Sequence, residues 1–302
     1  MRCGEGFKNR RRFEVGCVSC VGLNKEILES TNKVVLCLKE QSTIPVEAVT
    51  ICPDIFSKCS HSEILELPLF YGKRRRKLGD LFTVDGEKSD CITIEGDVGN
   101  VKKIGSNMTF GKIVVQGNVG RYVGTSMKGG RIVVQGNAAD KAGLAMQGGV
   151  LWIKGNTGHQ TGAARPGESR GVNHGTIIVE GNAGQELGAC MRRGLIAVLG
   201  NVGAFAGAKM VAGTVLAFGH LEARAGAGMK RGSIISFGTS EPLLPTYRYE
   251  ALLQPVYIRV LLKHLKGLGM QFDSSLMDGS FQRYSGDINA LGKGEILRYV
   301  KP

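Results

Sequence analysis

Residues 111–130 read GKIVVQGNVGRYVGTSMKGG, and residues 130–149 read GRIVVQGNAADKAGLAMQGG. The second stretch repeats the first after 19 residues, with glycine, Asn and Met in the same places. The leading glycine occurs seven times, at Gly111, Gly130, Gly149, Gly175, Gly194, Gly213 and Gly232. Self-similarity at a fixed period indicates an architecture built from stacked repeats.

Each repeat carries one short strand. The residues between its first two glycines, as in KIVVQ at 112–116, are largely β-branched, and such residues favour strands. One strand every 19 residues, turned at glycine corners, predicts a mainly β coil whose equivalent strands pair in parallel about 4.8 Å apart. Glycine suits a corner that needs a positive φ or leaves no room for a Cβ. The repeated Met is predicted to fill the interior, and the repeated Asn to form a ladder.

Composition divides the chain into four parts. Residues 1–32 are basic and aperiodic, and a flexible extension is predicted there. Residues 33–90 are predicted to form a small α/β cap, with a strand in NKVVLCLKE, a short helix in SEILELPLF whose end is set by Pro68, and a basic turn in GKRRRKLGDLF, 72–82, leading into the repeats. The repeats fill residues 91–238. Residues 239–302 are predicted to pack on the coil or on a partner.

The middle residue of each strand should point out of the coil, and there it is apolar rather than polar. This outer row comprises Val114, Val133, Trp152, Ile178, Ala197, Leu216 and Ile235. A continuous apolar row needs a cover. An amphipathic helix over 254–268, presenting Val256, Val260, Leu261, His264 and Leu265, is one candidate, and a partner subunit is the other. Val114, Val133, Trp152, Ile178 and Leu216 are therefore candidate interface residues.

The chain is basic, with a net charge of +13 and a pI of about 9.5. Residues 91–238 hold sixteen Lys and Arg against seven Asp and Glu. Stacked repeats would align several bases into a stripe of Lys128, Arg192, Arg193, Lys209, Lys230 and Arg231. The stripe is either an ordinary solvated face or a binding surface for a polyanion. Nucleic acid is not predicted, because no aromatic residues alternate with the bases.

One repeat is longer than the others, since the step from Gly149 to Gly175 is 26 residues. Insertions in a coil become loops on one face, often the face that makes contacts. Arg165, Glu168, Arg170 and His174 of this insertion are candidate contact residues. One carboxylate and one His, with no nucleophile pattern and no metal-ligand spacing, predict neither a catalytic nor a metal site.

The remaining features concern the compartment. No run of about 18 apolar residues predicts a membrane span, and the N-terminal residues lack the apolar run of a signal peptide. A cytoplasmic protein with reduced thiols is therefore expected. The single CxxC, at Cys17 and Cys20, is weak support for a zinc or redox site.

The unit G-x-I-x-V-x-G-N-x-G-x-x-x-G-x-x-M-x-x-G resembles the β-helix shared by the C-terminal domain of glutamate synthase and by the C subunit of formylmethanofuran dehydrogenase. The second resemblance is closer, because LPLFYGKRRRKLGDLF at 67–82 and FQRYSGDINALGKGEIL at 281–297 also match. It covers roughly residues 33–300. It implies a right-handed, single-stranded parallel β-helix of 19-residue rungs, with an α/β N-terminal cap and a helical or extended C-terminal segment.

The resemblance also implies a role. Bacterial members look like the C subunit of a formyltransferase/hydrolase complex, which moves a formyl unit between tetrahydromethanopterin and a methanofuran-type carrier. The chemistry would then lie on amidohydrolase-like and formyltransferase chains, with a tungstopterin or molybdopterin subunit only in a dehydrogenase. This chain would be a non-catalytic structural subunit that binds no cofactor of its own. Its basic stripe and KRRRK run could attract the carrier's glutamate-rich tail, and Asp287, Lys293 and Glu295 would be structural or interface residues.

Other classes of protein also fit a glycine-rich coil. The chain could accompany a glutamate synthase-like amidotransferase. It could also be a free-standing β-helix enzyme, either a polysaccharide lyase or a hexapeptide acyltransferase. Lyase sites need clustered carboxylates, which are scarce in the coil, and hexapeptide coils repeat at about 18 residues without this glycine and Met pattern.

Overall fold

The computed structural model describes residues 33–41 and 43–301. The extension predicted over residues 1–32, with Cys17 and Cys20, lies outside the described residues. The chain is mainly β and contains a large sheet with many parallel strands. The strands that form the repeats are β6 (Cys91–Glu95), β8 (Lys112–Val115), β9 (Arg131–Val134), β10 (Val150–Ile153), β11 (Thr176–Val179), β12 (Leu195–Val198), β13 (Thr214–Ala217) and β14 (Arg231–Ser236), with β7 (Val101–Lys102) between the first two.

Equivalent residues of successive repeats lie opposite one another. Ile113 pairs with Ile132, 19 residues on, and Leu151 pairs with Ile177 across the longer repeat. A second line of parallel bridges runs from Val98 through each repeat to Ser240. The chain therefore meets its previous turn at two places in each repeat, an arrangement consistent with a β-helix.

The interior holds alternate strand residues and the repeated Met. Ile113 and Val115 are fully buried, as are Met127 and its counterparts Met108, Met146, Met191, Met210 and Met229. In the long repeat Val172 takes the interior position where the other repeats have Met, since its carbonyl accepts from Arg192 as the Met127 carbonyl accepts from Gln147. The predicted interior role of Met is confirmed.

The repeated glycines serve both of the predicted purposes. Gly130 has a φ of 77°, and a Cβ there would lie 2.6 Å from the Gly111 carbonyl oxygen. Gly136 has no positive φ, but a Cβ there would lie 2.7 Å from the backbone carbon of Gly117. The Asn ladder is also present: the Asn118 side-chain oxygen accepts a hydrogen bond from the Asn137 backbone N–H at 2.8 Å. Close stacking of backbone on backbone therefore requires these residue types.

At one further position of each repeat the backbone is left-handed although the residue is not glycine. The sequence pattern did not predict this position. The residues there have φ between 59° and 68° and are Lys103, Tyr122, Lys141, Gln160, Glu186, Phe205 and Arg224. Several of these side chains interact with one another: Lys141 lies over the Tyr122 ring, and Gln160 donates to Glu186. The left-handed backbone conformation at these positions costs an L-residue about 1 kcal/mol. The side-chain contacts occur at the residues that carry this cost.

The N-terminal cap joins the coil through two sheets. Its elements are β1 (Val34–Leu38), β2 (Val46–Glu47), α1 (Pro53–Phe56), α2 (His61–Glu66), β3 (Pro68–Tyr71), β4 (Arg74–Lys77), α3 (Leu78–Leu81) and β5 (Phe82–Asp85). Strand β1 pairs in parallel with β6 and antiparallel with β5. A second sheet has the order β4-β3-β2-β7. The predicted strand at β1 and helix ending before Pro68 are confirmed.

The basic turn predicted over 72–82 is wrong beyond its first two residues, because β4, α3 and the start of β5 fill the rest. Gly72, with a φ of 59°, and Lys73 form the turn of a hairpin, and the next four residues form strand β4. A strand of four consecutive cations has no alternation of apolar and polar residues, so the sequence carried no signal for it.

The C-terminal segment extends the large sheet and covers one face of the coil. It comprises β15 (Arg248–Leu253), α4 (Val256–Leu268), a short 3-10 helix (Ser274–Asp278), β16 (Ser280–Gly286) and β17 (Lys293–Val300). Strand β17 pairs in parallel with β14, and β16 and β15 follow antiparallel. The predicted helix is confirmed, and the predicted packing face is right in part. Leu265 is buried and Leu261 packs beside it as predicted, whereas Val256 and Val260 are 73% and 61% exposed. Ile258 and Leu262, which the prediction left out, complete the buried face.

Candidate functional site

A basic patch at the C-terminal end of the coil is the main charged feature of its surface. Arg231 on β14 lies directly opposite Lys293 on β17. The preceding strands pair in the same register, and the residues two positions before their first paired residues continue the alignment. Ala212, Arg193 and His174 therefore stack in line with Arg231, and we call such a line of stacked residues a column. Strands are spaced by about 4.8 Å, so Arg193 and Arg231 lie about 10 Å apart along the stack.

The neighbouring column completes the patch. Backbone hydrogen bonds align Lys128, Gln147, Asn173, Arg192, Val211 and Lys230. Arg192 and Lys230 are two strands apart, whereas Lys128 is three strands before Arg192, or about 14 Å away. The predicted stripe is therefore not continuous. Lys209 lies two residues before Val211, in the turn between those of Arg192 and Lys230. Five of the six predicted residues therefore gather near the coil's end, and Lys128 lies apart from them. We call Arg192, Arg193, Lys209, Lys230, Arg231 and Lys293 the basic patch.

The patch is open and its charges are not neutralised locally. All six side chains are exposed. Within residues 33–41 and 43–301 none of the six forms an ion pair. Closely spaced cations without counter-charges create a positive potential that attracts anions.

The sequence did not place Lys293 in the patch. Its position depends on the pairing of β14 with β17, between residues 62 apart in the chain. A local signal exists, because the dipeptide Lys293-Gly294 resembles Arg193-Gly194 and Arg231-Gly232 at the starts of repeats. Asp287 holds the turn before Lys293 by accepting hydrogen bonds from the backbone N–H groups of Gly228 and Asn289, each at 3.0 Å. This supports the structural role expected of Asp287.

The insertion residues do not form one cluster. Arg165 donates to the Ser126 hydroxyl at 2.6 Å and lies 3.7 Å from Glu168. These two side chains, with Pro166, line a cleft between the insertion and the cap residue Val49. Arg170 is exposed on the loop, and His174 is exposed in the column of Arg193. The loop thus contributes to two surfaces, one beside the cap and one beside the basic patch.

The outer row is covered by the chain itself. Trp152, Ile178 and Leu216 are at most 2% exposed and pack in one cluster with the buried face of α4. Val133 belongs to the same cluster, and Val114 is also buried. For Val133, Trp152, Ile178 and Leu216 the cover is therefore the C-terminal segment and not a partner subunit, and a partner contact at Val114 stays a prediction. The C-terminal helix occupies the surface, which is one of the two covers that the sequence left open.

Polar contacts fix the two ends of this cover. At the end of α4, Arg131 of the coil donates to the carbonyl of Leu268. Beneath the helix, the Trp152 indole donates to Glu180 of the coil at 2.9 Å. Near the start of α4, the Tyr257 hydroxyl donates to Glu295 at 2.8 Å. Exposed apolar side chains lie instead on the outer side of α4 and on β15, and they include Tyr249, Leu252, Val256 and Val260.

The part of the chain that the structure describes contains neither a metal-binding cluster nor a membrane-spanning helix. No three His, Cys, Asp or Glu side chains are grouped there so that they could hold a metal ion. None of the described helices is long and apolar enough to cross a membrane.

No protein-family model matches this chain. Similarity to curated proteins is confined to part of its length. The C subunit of the tungsten-containing formylmethanofuran dehydrogenase 2 of Methanothermobacter marburgensis is 45% identical over 97 residues, which is 30% of this chain and 36% of that protein. The C subunit of the molybdenum-containing formylmethanofuran dehydrogenase 1 of the same organism is 42% identical over 88 residues, 28% of this chain and 22% of that protein. This chain thus spans about a third or less of the length of these relatives.

A solved structure matches far more of the chain. It is the crystal structure of the formyltransferase/hydrolase complex (FhcABCD) from Methylorubrum extorquens, in complex with methylofuran. The matching chain of that complex is 34% identical to this one, with a TM-score of 0.80. The match covers 88% of this chain and 100% of that chain.

Proposed function

This chain belongs to the family formed by the C subunit of formylmethanofuran dehydrogenase and its counterpart in the formyltransferase/hydrolase complex, and from that premise we propose that it is a non-catalytic structural subunit of such a complex. The observation that carries the proposal is the match to one entire chain of a solved complex at 34% identity. Formyl transfer between tetrahydromethanopterin and a methanofuran-type carrier would then occur on amidohydrolase-like and formyltransferase chains, and a molybdopterin or tungstopterin would belong to a further chain in a dehydrogenase.

A structural role accords with how the repeated residues are used. Gly130 and Gly136 allow close stacking, Met127 fills the interior, and Asn118 binds the next turn of backbone. We further propose a right-handed coil of 19-residue rungs over residues 91–238, a cap over residues 33–90 and a cytoplasmic location. The loop residues Arg165, Glu168 and Arg170 are proposed as contacts with a partner chain.

The experiment that tests this role is purification of the tagged chain from its own organism, with its partners identified by mass spectrometry. We expect amidohydrolase-like and formyltransferase chains. An additional pterin-binding subunit would assign the chain to a dehydrogenase. A glutamate synthase chain as partner, or no partner at all, would contradict the proposal.

The basic patch is proposed as a surface that attracts the anionic tail of a methanofuran-type carrier. Its support is the group of six exposed cations, with His174 beside them in the column of Arg193. Attraction of this kind weakens as ionic strength rises, because added salt shortens the Debye length, which is about 8 Å at 0.15 M salt.

The carrier proposal is tested with four charge reversals, Arg192→Glu, Arg193→Glu, Lys230→Glu and Arg231→Glu, made together in the assembled complex. We expect weaker carrier binding at low salt and a flatter salt dependence. The control reverses four exposed lysines outside the patch, namely Lys33, Lys58, Lys88 and Lys263, for the same change in net charge. Equal affinities in both variants would show that the patch does not act locally on the carrier.

A further inference from the structure

The basic run 73–77 is remote from the basic patch and forms a surface of its own. Strand β4 is joined through β3 and β2 to β7, in the first turn of the coil. Arg192 precedes β12, five strand spacings after β6, or about 24 Å along the stack. The run therefore needs an explanation of its own, beyond the carrier tail.

Strand β4 forms a free edge of its sheet. Among the described residues it pairs only with β3. Tyr71 and Arg74 close the hairpin, and the Leu78 N–H bonds to the Leu67 carbonyl at 2.7 Å. Hydrogen-bonded and non-hydrogen-bonded pairs alternate along an antiparallel ladder. Because Tyr71–Arg74 and Leu67–Leu78 are hydrogen-bonded pairs, Phe70 and Arg75 form a non-hydrogen-bonded pair. The N–H and C=O of Arg75 consequently point away from β3, where another strand could bind them.

The side chains along this edge are cationic on both faces. All four residues of β4 are exposed. Arg74 and Arg76 project to one face and Arg75 to the other, because side chains alternate along a strand. The neighbouring acids are already used by Lys77, whose Nζ lies 2.7 Å from Glu66 and whose N–H donates to Asp80 at 3.1 Å. In the described part of the chain, Arg74, Arg75 and Arg76 make no ion pair.

We propose that β4 is a docking edge for an acidic, extended segment of another subunit of the same complex, which adds to the sheet as a fifth strand. Backbone hydrogen bonds to Arg75 would set the register, and carboxylates on alternate residues would pair with Arg74 and Arg76 on one face and with Arg75 on the other. Phe70, half exposed beside Arg75, extends this surface with an apolar contact. The inference rests on the proposed function, since it requires the chain to be a subunit of a complex.

The competing explanation is that the arginines only protect the edge. Charged side chains on an edge strand prevent unwanted pairing with other chains. If the arginines only protect the edge, removing their charge would make the protein self-associate, but the complex would keep all its subunits. A docking edge would lose a partner when its charge is reversed, and it would regain that partner when the partner's charge is reversed too.

The experiment has two arms in the full complex. In the first, Arg75→p-benzoylphenylalanine is cross-linked by light in cells and the linked peptide is sequenced. We expect a segment of another subunit in which Asp or Glu occupies alternate positions. In the second, Arg74→Glu, Arg75→Glu and Arg76→Glu are made together, and we expect about tenfold less of the linked subunit to be retained at physiological salt, because each contact becomes repulsive. Lys substitutions at the linked acids should restore it.

The controls separate three failures. Reversal of the exposed Lys58, Lys88 and Lys263 gives the same charge change away from the edge and should leave the linked subunit bound. A thermal melt of each variant must match the unmodified chain. If the unmodified chain has no partners, the proposed function fails. If it has partners and the edge variant retains them all, or if Arg75 links only to nucleic acid or to its own chain, the docking inference alone is overturned.

Discussion

The hydroxyl of Tyr257 and the carboxylate of Glu295 join the C-terminal helix to β17, the last strand in chain order, at a distance of 2.8 Å. The same carboxylate oxygen accepts from the Ser233 hydroxyl at 2.6 Å, so three elements meet there: α4, β14 and β17. The other carboxylate oxygen lies 3.0 Å from Arg283. Burial, with the negative charge of Glu295 acting in the same direction, raises the pKa of Tyr257 well above its ordinary value, so the phenol stays a donor across the physiological range.

Removing that hydroxyl tests the junction. We expect Tyr257→Phe to lower the free energy of unfolding by about 1–2 kcal/mol, because the Glu295 carboxylate loses a donor in a half-buried setting. Urea unfolding followed by circular dichroism measures the change. Tyr249→Phe is the matched control, since Tyr249 is 55% exposed, and its loss should be within about 0.5 kcal/mol. Equal losses in the two variants would contradict a specific role for the Tyr257–Glu295 pair.

The packing face of α4 gives a second prediction. Leu262→Ala should destabilise the protein by about 3 kcal/mol, because a fully buried side chain is lost from the cluster beneath the helix. Val260→Ala, on the exposed side of the same helix, should change stability by about 0.5 kcal/mol or less. Trp152 is the only tryptophan of the chain and lies under this cover, so its emission should shift to the red only for Leu262→Ala at mild denaturant concentrations. The reverse order of effects would mean that the helix packs by its other face.

Crowding and backbone conformation can be separated at two glycines. Gly130 and Gly167 have similar φ values, 77° and 82°, but a Cβ at Gly167 would meet nothing within 4 Å. We expect Gly167→Ala to cost about 1 kcal/mol from the left-handed backbone alone. Gly130→Ala should cost about 3 kcal/mol, because its Cβ also collides with the preceding turn. Thermal and urea unfolding of both variants measure the difference, and equal costs would show that the turns can separate to admit a methyl group.

Two cysteines of the cap should differ in reactivity. Burial is the main cause that raises the pKa of the Cys52 thiol from 9.0 to about 12, and the nearby Asp54 carboxylate, 3.2 Å away, favours the neutral thiol as well. Cys37 is exposed. Iodoacetamide at pH 8 should therefore modify Cys37 and spare Cys52 until the protein unfolds, as read by peptide mapping. Rapid labelling of Cys52 in the folded protein would contradict its burial.

The same shift predicts a dependence of stability on pH. An unfolded Cys52 ionises near pH 9, whereas the folded thiol stays neutral until about pH 12. The stabilising contribution is therefore complete below pH 9 and is lost progressively as the pH rises toward 12. Cys52→Ala removes this group, so its stability should fall less steeply over that interval than that of the unmodified protein. Parallel slopes would assign the alkaline loss to other residues.

The repeats were predictable because each column has a local cause. Gly130 must accept a positive φ, Gly136 must lie against the preceding turn, and Met127 must fill the interior. Those demands recur in every turn, so they appear in the sequence as a period. The left-handed backbone at Tyr122 and Phe205 left no such trace, since side chains of any type occupy those positions and interact with their neighbours.

The surfaces were less predictable because they depend on long-range pairing. Helix α4 has apolar residues on two sides, and only contact with Trp152 and Leu216 shows that Leu262 faces inward. Lys293 joins the basic patch through its pairing with Arg231, 62 residues away, and the Lys293-Gly294 dipeptide is the only local sign of that pairing. Lys128 shares a column with Arg192, but the uncharged Gln147 and Asn173 lie between them. The basic residues therefore do not form the continuous stripe that the sequence predicted.

The large sheet ends in strands that do not resemble its repeats. Strand β5 lies at one end and β15 at the other, and each is antiparallel to its neighbour. A coil that exposed a bare repeat at either end would offer a parallel template to a second copy, and copies could then join into a fibre. These terminal strands leave no bare repeat at either end of the described sheet, so neither end offers a second copy the parallel template on which each turn of the coil stacks.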